Sequence, residues 1–425
     1  MLIEFSVANY RSIKERVTLS MVAAKDDIFN NNTFVASGQS KLSLLKCVGI
    51  YGANASGKSN IVRALVFMED FVRNSARKGQ EGDPIDVTPF KLDAMTASQP
   101  SEFEVVFMID DERYVYGFSA DNKRVHEEWL TATKKKTRLL FKRSLEGIEF
   151  GDSWKGDKEK ISQLTRPNAL FISVAVQFNH PIARIVFDWF KSKVYPISNQ
   201  PQFGNMYSVL LNITDEDNLA NQLTEWLNVA DFGIDHVTIE KTPIKTTQNN
   251  EISNLPAELR EPLQTLIESL NSLSPDKPDS ISSIKTWHKT QEGYDIKFDL
   301  INDESAGTNK FLALAMSWLK HIKNNRIIVI DELETSLHPK LTQFLIDIIH
   351  QADKTQLIFT THDSSLLDSK LFRRDQIWFT EKDSGGATHL FSLWDYEVRK
   401  DENFRTGYLK GRYGAIPFIG ELNFE

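Results

Sequence analysis

One stretch of the sequence constrains the fold of this chain more than any other. Gly52-Ala53-Asn54-Ala55-Ser56-Gly57-Lys58-Ser59 fits the phosphate-binding pattern G-x-x-x-x-G-K-[ST]. An apolar run of strand length, Leu44–Tyr51, precedes this loop, and apolar residues at helical spacing follow it to about Arg77. A strand, a glycine-rich loop and a helix in this order predict an α/β core whose loop binds a nucleotide.

The residue types of the loop fit the chemistry of a phosphate chain. Glycines allow a tight backbone whose amides point at phosphate oxygens, and the helix that starts at Gly57 adds the positive end of its dipole. We predict that Lys58 contacts the β- and γ-phosphates and that the Ser59 hydroxyl ligates Mg²⁺. The residues predicted to bind the nucleotide are Gly52, Asn54, Ala55, Ser56, Gly57, Lys58, Ser59 and Asn60.

Composition and charge are ordinary for a globular protein: 425 residues, 41% hydrophobic and 25% charged, with a net charge of −8. The acidic balance disfavours a globally basic nucleic-acid binder. No run approaches the roughly 18 apolar residues of a membrane span. Glu4 lies inside the first apolar run, which argues against a signal peptide. With Cys47 as the single cysteine, no disulfide forms within one chain, and we expect a cytoplasmic protein.

The pattern of strands and helices predicts a largely parallel sheet, an antiparallel β subdomain at about residues 102–150, and a helical insertion. Leu170–Gln177 is an apolar run that we interpret as a strand. From Ile182 to about Leu270 the pattern is mostly helical, apart from polar linkers at Thr242–Pro256 and Asn271–Ser283. The predicted lobes are an N-terminal lobe with the phosphate loop at 1–177, a helical insertion lobe at 178–300 and a C-terminal lobe at 301–425.

Two buried strands in the last lobe end in residues of catalytic type. Ile327–Ile330 is followed by Asp331 and Glu332, and a second apolar run is followed by His362. We predict that Asp331 holds the Mg²⁺ shell, that Glu332 polarises the attacking water as general base, and that His362 hydrogen-bonds the γ-phosphate. The structural alternatives are a solvated acidic turn and a helix-capping or core histidine.

A second anion site is predicted where Ser305-Ala306-Gly307 precedes a helix. A serine hydroxyl, glycine amides and a helix N-terminus together suit a phosphate. This signal gains weight from its position shortly before the acidic strand end.

The order of these motifs resembles the ABC-type ATPases of the SMC/RecF kind, whose phosphate loop often has asparagine where Asn54 stands. More narrowly, the chain is similar to the RloA-like ATPases of bacterial phage-defence operons, which are related to the ATPase subunits of AbiL and PARIS systems. The stretches that carry this resemblance are Leu2–Phe5, Asn9–Ser12, Ile50–Asn60, Pro89–Asp93, Glu304–Thr308, Ile330–Pro339, Thr360–Asp363, Arg374–Trp378 and Tyr413–Pro417.

The resemblance implies a signature segment that acts in trans. Ser305 and Gly307 would contact the γ-phosphate of a nucleotide bound to the partner subunit. The segment departs from the usual Leu-Ser-Gly-Gly-Gln, because Glu304 replaces leucine and Thr308 stands where a second glycine would. Ser336-Leu337-His338 occupies the D-loop position.

Two further roles follow from the same resemblance. Gln177, interpreted as the polar residue at a strand end, is the candidate Q-loop residue and thereby a metal ligand. Arg11 is a candidate phosphate contact.

The resemblance also implies a function. The expected fold is an α/β ABC-type ATPase head that closes as a homodimer on two ATP molecules and reopens on hydrolysis. The expected role is that of sensor or regulatory subunit in anti-phage defence, with a separately encoded effector of nuclease or Toprim type. No membrane contact is expected.

Three alternatives remain open. An OLD-type nuclease needs an appended Toprim acid cluster, and the one D-x-D sequence, Asp215-Glu216-Asp217, also suits a helix-capping loop. A RecF- or SMC-like DNA-repair ATPase is the second alternative; the lack of sustained heptads disfavours an SMC arm, and the acidic net charge disfavours a DNA clamp. Separately, the basic hairpin Lys134–Arg143 is a candidate contact for nucleic acid or an acidic partner, and a solvated hairpin is its plainer interpretation. A scaffold that binds nucleotide without hydrolysing it would have no use for Glu332.

Overall fold

The computed structural model describes residues 1–25, 29–36, 42–197, 216–243, 280–398 and 402–417. Contacts divide the chain into two compact units. The first unit comprises Met1–Asn199, His321–Thr335 and Thr342–Glu425, and the second comprises Gln200–Lys320 and Ser336–Leu341. Residues 178–199, predicted to begin the insertion lobe, therefore group with the first unit. Residues 301–320, predicted to begin the C-terminal lobe, group with the second.

The strands, in chain order, are β1 (Leu2–Ala8), β2 (Val17–Ser20), β3 (Thr33–Val35), β4 (Ser43–Leu45), β5 (Cys47–Tyr51), β6 (Ser101–Ile109), β7 (Glu112–Ala120), β8 (Val125–Thr133), β9 (Thr137–Ser144), β10 (Gly147–Phe150), β11 (Val194–Ile197), β12 (His236–Pro243), β13 (Ser280–Lys289), β14 (Asp295–Asp299), β15 (Ile327–Ile330), β16 (Gln356–Thr360), β17 (Ile377–Lys382) and β18 (Thr388–Ser392). The α-helices are α1 (Lys58–Asn74), α2 (Ala94–Ala97), α3 (Lys158–Leu164), α4 (Phe171–Gln177), α5 (Pro181–Lys193), α6 (Glu216–Val229), α7 (Ala306–Ile322), α8 (Pro339–Gln351) and α9 (Phe404–Leu409).

The core sheet of the first unit has the strand order β11-β15-β16-β5-β17-β18. All neighbours pair in parallel except β17 and β18, which form an antiparallel hairpin. Every residue of β5, β15 and β16 is buried, which is why these strands read as continuous apolar runs. Because β15, β16 and β5 are adjacent and parallel, the residues that follow them meet at one edge of the sheet.

The second sheet of this unit is antiparallel, in the order β10-β9-β8-β7-β6-β1-β2. Its β6–β10 portion is the predicted meander. Helix α1 packs on it through Phe67, whose ring centroid lies 5.0 Å from that of Phe103. Buried residues of both sheets and of α1 belong to one hydrophobic core. The predicted α/β fold, a P-loop core sheet with an antiparallel β subdomain, is confirmed.

The prediction of a strand at Leu170–Gln177 is wrong, because Phe171–Gln177 forms helix α4. Five consecutive residues, Phe171 to Ala175, are buried, so the helix is apolar on all sides and its sequence lacks a helical period. The carboxylate of Glu128 on β8 accepts from the amides of Phe171 and Ile172 at 2.6 and 3.0 Å. A buried side chain distant in sequence thus caps this helix.

The second unit contains an antiparallel sheet in the order β12-β13-β14, with helices α6 and the start of α7. Thr242 and Pro243 pair with Ile281 and Ser280, so the predicted linkers are wrong at those ends, where they form β-ladder. The prediction of a mostly helical insertion is corrected in the same way, because β12, β13 and β14 form a sheet there. The residues from 244 to 279 lie outside the described residues. Among those that are described, no helix is both long and apolar enough to cross a membrane.

Candidate active site

The phosphate loop joins β5 to α1, and its two outer glycines are required on two counts. Gly52 has φ 151° and Gly57 has φ 109°, values that side-chain-bearing residues rarely adopt. A Cβ on Gly52 would lie 2.4 Å from the Thr380 carbonyl oxygen, and one on Gly57 would lie 2.1 Å from Thr388 Oγ1. No side chain caps α1 at Gly57, so the amides of its first turn are available to an anion.

Lys58 lies beneath this loop with 4% of its surface exposed. Its Nζ donates to the carbonyl oxygens of Gly52 and Ala53 at 2.8 and 3.0 Å and lies 3.2 Å from His362 Nδ1. Because an ammonium only donates, Nδ1 accepts and a neutral His362 carries its proton on Nε2. Burial lowers the pKa of Lys58 from 10.5 to about 8, although Glu334, and less strongly two other acids, act to raise it.

A threonine hydroxyl orients the two acids that follow β15. Thr360 Oγ1, at the end of β16, donates to Asp331 Oδ1 at 2.6 Å and accepts from the Glu332 amide at 2.7 Å. Glu332 has φ 52°, an unusual conformation for a non-glycine residue. Thr360 therefore fixes both the carboxylate proposed for the metal shell and the backbone that carries the proposed base.

His362 lies between the lysine and the base. Its Nε2 is 3.8 Å from Glu332 Oε1, and its amide donates to Glu334 Oε1 at 2.6 Å. Glu334 Oε2 is buried, and no described residue hydrogen-bonds it. The structure thus brings Lys58, Glu332 and His362 together from three adjacent parallel strands.

Two residues that sequence reasoning did not assign, Thr360 and Glu334, complete this arrangement. Both lie inside stretches that carry the family resemblance, Thr360–Asp363 and Ile330–Pro339. Nothing in their immediate sequence context marks the roles that their contacts show.

Two of the predicted ligands lie outside this arrangement. The exposed Arg11 donates from Nε to the Tyr10 hydroxyl at 3.1 Å. Its neighbour Ser12 contacts α1 by accepting from Asn60 Nδ2 at 2.7 Å. Gln177 is exposed at the end of α4, so the prediction that it ends a strand is wrong and the Q-loop assignment loses that basis. Asn54 and Ala55 form the exposed tip of the phosphate loop.

The signature segment belongs to the second unit, where Ser305 precedes α7. Its Oγ accepts from the Thr308 amide at 3.1 Å, as in an N-cap. Glu304 Oε1 accepts from Thr286 Oγ1 and from His288 Nε2 on β13 at 2.5 and 2.8 Å. A Cβ on Gly307 would lie 3.2 Å from the carbonyl oxygen of Ser336. The glutamate in place of the usual leucine thus anchors the segment to a sheet.

The basic hairpin is less cationic than its sequence indicates. Lys134 pairs with Asp111 at 2.8 Å, and Arg138 pairs with Glu112 at 2.6 Å. Arg143 is buried and donates to a backbone carbonyl. These contacts favour the interpretation as a solvated hairpin. Of the D-x-D sequence, Asp215 lies outside the described residues.

A metal site made of protein side chains alone is not found: the described part of the chain holds no group of three or more His, Cys, Asp or Glu residues suited to a metal ion. Ser59 and Asp331 offer oxygen ligands of the kind that Mg²⁺ takes together with phosphate oxygens and water. The donor groups of the loop and these two oxygen ligands therefore fit ATP with Mg²⁺.

Comparison with known families gives a match over residues 47–368 to the family described as "AAA domain, putative AbiEii toxin, Type IV TA system". No curated protein matches the chain. Similar solved structures include an SMC head domain from Thermotoga maritima, with 10% identity and a TM-score of 0.41, covering 93% of this chain and 99% of that one. Another is an Smc head with an extended coiled coil bound to the C-terminal domain of ScpA, from Pyrococcus furiosus, with 14% identity, a TM-score of 0.42 and coverages of 92% and 96%.

Proposed function

This chain belongs to the AAA-domain family that its residues 47–368 match, and we propose that it binds ATP with Mg²⁺ and hydrolyses it. The convergence of Lys58, Glu332 and His362 carries this proposal. Lys58 Nζ lies 3.2 Å from His362 Nδ1, and His362 Nε2 lies 3.8 Å from Glu332 Oε1. These side chains are next to the N-terminus of α1, which has no side-chain cap. A phosphate-binding cation, a carboxylate for water and a γ-phosphate donor are the groups that phosphoryl transfer to water needs.

Each residue has a proposed task. Lys58 and the amides of the first turn of α1 bind the phosphates, and Ser59 and Asp331 would hold Mg²⁺, which would supply charge neutralisation at the phosphates. Glu332 orients and polarises the attacking water. His362 donates from Nε2 toward the γ-phosphate. Thr360 maintains the positions of both acids through its two hydrogen bonds.

We further propose that two copies of the chain form an ATP-dependent homodimer. Ser305 is exposed at the start of α7, and Gly307 lies against the backbone of Ser336, so the signature and D-loop positions are neighbours within the second unit. These contacts support a shared surface that meets the nucleotide of the partner subunit.

The proposed biological role is that of a cytoplasmic sensor or regulatory subunit in anti-phage defence, which acts through a separately encoded nuclease or Toprim-type effector. Support comes from the RloA-like sequence stretches. The purified chain should then cleave neither DNA nor RNA with Mg²⁺ or Mn²⁺, and phage protection should require a neighbouring gene. Nuclease activity of the isolated chain would contradict this role.

Titration calorimetry with ATP and Mg²⁺, combined with a phosphate-release assay, tests the activity itself. The wild type should bind and hydrolyse ATP, and Lys58→Ala should lose binding, because the buried cation beneath the loop is gone. Lys123→Ala, a change of an exposed lysine in a turn, is the matched control and should match the wild type. Equal ATP affinity of Lys58→Ala and the wild type would refute the assignment of the site.

A further inference from the structure

A chain of hydroxyl groups lies behind the phosphate loop and has no part in the chemistry described so far. Thr388, on β18, is 2% exposed, and its Oγ1 donates to the carbonyl oxygen of Ser56 at 2.9 Å. The same Oγ1 lies 2.8 Å from Ser12 Oγ. Ser12 in turn accepts from Asn60 Nδ2 at 2.7 Å. These hydrogen bonds thus begin at Asn60 on the first turn of α1 and end at the Ser56 carbonyl, on the loop that precedes α1.

The direction of these hydrogen bonds is fixed by proton count. A hydroxyl has one proton to donate, and that of Thr388 is committed to the Ser56 carbonyl. Ser12 must therefore donate to Thr388, and its remaining acceptor capacity takes the Asn60 amide. Bonds that run in one direction polarise one another, so the loss of the central hydroxyl affects every member.

Thr388 also contacts the loop sterically. A Cβ on Gly57 would lie 2.1 Å from its Oγ1 and 2.6 Å from its Cγ2, so the threonine side chain packs directly on the glycine that caps α1. On the other side of the loop, Ser56 Oγ lies 2.6 Å from Thr380 Oγ1. Ser56 is 4% exposed. Both its carbonyl and its hydroxyl are thus held by the β17–β18 hairpin.

These hydrogen bonds connect segments that are far apart in the sequence. Thr388 and Ser12 are 376 residues apart, and Thr388 and Ser56 are 332 apart. The Thr388 amide also donates to the Ser12 carbonyl at 2.7 Å. The turn after β1 and the hairpin near the other end of the chain are thereby bound to each other and to the phosphate loop.

We propose that Thr388, acting with Ser12, is a positioning residue for ATP: it holds Ser56 and Gly57 so that the amides of the first turn of α1 point at the phosphates. This inference rests on the proposed function. The buried Ser56 carbonyl would be costly without its donor, so the loop reorganises when the hydroxyl is lost. Thr388 touches neither substrate nor metal, and its contribution lies in ATP affinity rather than in the chemical step.

Thr388→Val, Thr388→Ser and Thr342→Val form the test set. Thr342 on α8 is fully buried and its hydroxyl has no partner among the described residues, so its valine variant controls for the same change of atoms. The first measurement is amide hydrogen exchange over residues 53–60 without nucleotide. The second is the Kd for ATP with Mg²⁺, together with kcat at saturating ATP.

Thr388→Val should exchange these amides faster and bind ATP roughly tenfold more weakly, which corresponds to about 1.4 kcal/mol, while kcat at saturation changes less than about twofold. Thr388→Ser retains the hydroxyl and should restore both properties, and Thr342→Val should match the wild type. If Thr388→Val does not fold, Ser12→Ala, which removes the donor to Thr388, should give the same two changes. If the amides of residues 53–60 in Thr388→Val exchange at the wild-type rate, the proposal is overturned. The same result in Ser12→Ala overturns it if that variant is used instead. The exchange measurement needs no ATP, so a wild type that binds none would contradict the proposed function alone.

Discussion

Thr360→Val distinguishes most sharply between two interpretations of Glu332: a general base held in position, and a solvated acid at a strand end. The Thr360 hydroxyl donates to Asp331 at 2.6 Å and accepts from the Glu332 amide at 2.7 Å. Valine has nearly the same shape but forms neither bond. A hydrogen bond to a charged group contributes roughly 1.5–3 kcal/mol, and a buried amide left without an acceptor costs about 1–3 kcal/mol.

The added methyl group recovers about 0.8 kcal/mol through burial. The unfolding free energy should thus fall by roughly 2–5 kcal/mol. Release of the Glu332 backbone should also misplace the base, and a displacement of about 1 Å can cost on the order of 100-fold in rate. We therefore expect kcat to fall by about 10- to 100-fold.

The assay combines urea denaturation with steady-state ATP hydrolysis. Thr360→Ser keeps the hydroxyl and should retain most of kcat, which distinguishes the hydrogen bonds from the packing of the methyl group. A Thr360→Val variant with wild-type kcat would refute the view that this hydroxyl positions Asp331 and Glu332.

Three further predictions concern stability, protonation and assembly. Glu128→Ala removes the buried carboxylate that pairs with Arg143 and caps α4; urea denaturation should show a loss of about 3–5 kcal/mol, and a loss below about 1 kcal/mol would contradict the assigned cap. Because the pKa of Lys58 is lowered to about 8 rather than 10.5, the Kd for ATP should be constant below about pH 7 and rise above about pH 8, as the ammonium that contacts phosphate is lost; a flat profile through pH 9.5 would contradict this. Ser305→Arg should bind ATP but neither dimerise nor hydrolyse it, and mixing it with Lys58→Ala should restore activity through one intact shared site; no recovery in proven mixed dimers would count against sharing.

Much of the core was predictable because its determinants are local. The phosphate loop, its flanking strand and α1 occupy one continuous segment, and the strands before Asp331 and His362 are largely apolar because they are buried on both faces. Parallel pairing then brings their ends together without further information. The sequence therefore predicted which residues converge, although not their distances.

The failures have physical causes. The helix Phe171–Gln177 is buried over Phe171–Ala175, and its cap, Glu128, comes from a distant strand, so neither a helical period nor a local capping residue marks it in the sequence. The polar strand ends at Thr242 and Ser280 have the composition of a linker, but they belong to a β-ladder in which Thr242 pairs with Ile281 and Pro243 pairs with Ser280. Thr388 is 332 residues from the loop carbonyl it contacts, and no motif in one sequence records such a contact.

We propose that Glu332 is the general base at a site built to bind ATP, and Glu332→Gln tests this role most directly. The amide keeps the shape of the side chain but cannot act as a base, so calorimetry should show ATP binding close to that of the wild type. Single-turnover hydrolysis should fall by at least about 100-fold. Glu149→Gln, a change of an exposed glutamate on β10, should leave both measurements unchanged. Hydrolysis by Glu332→Gln at the wild-type rate would contradict the account.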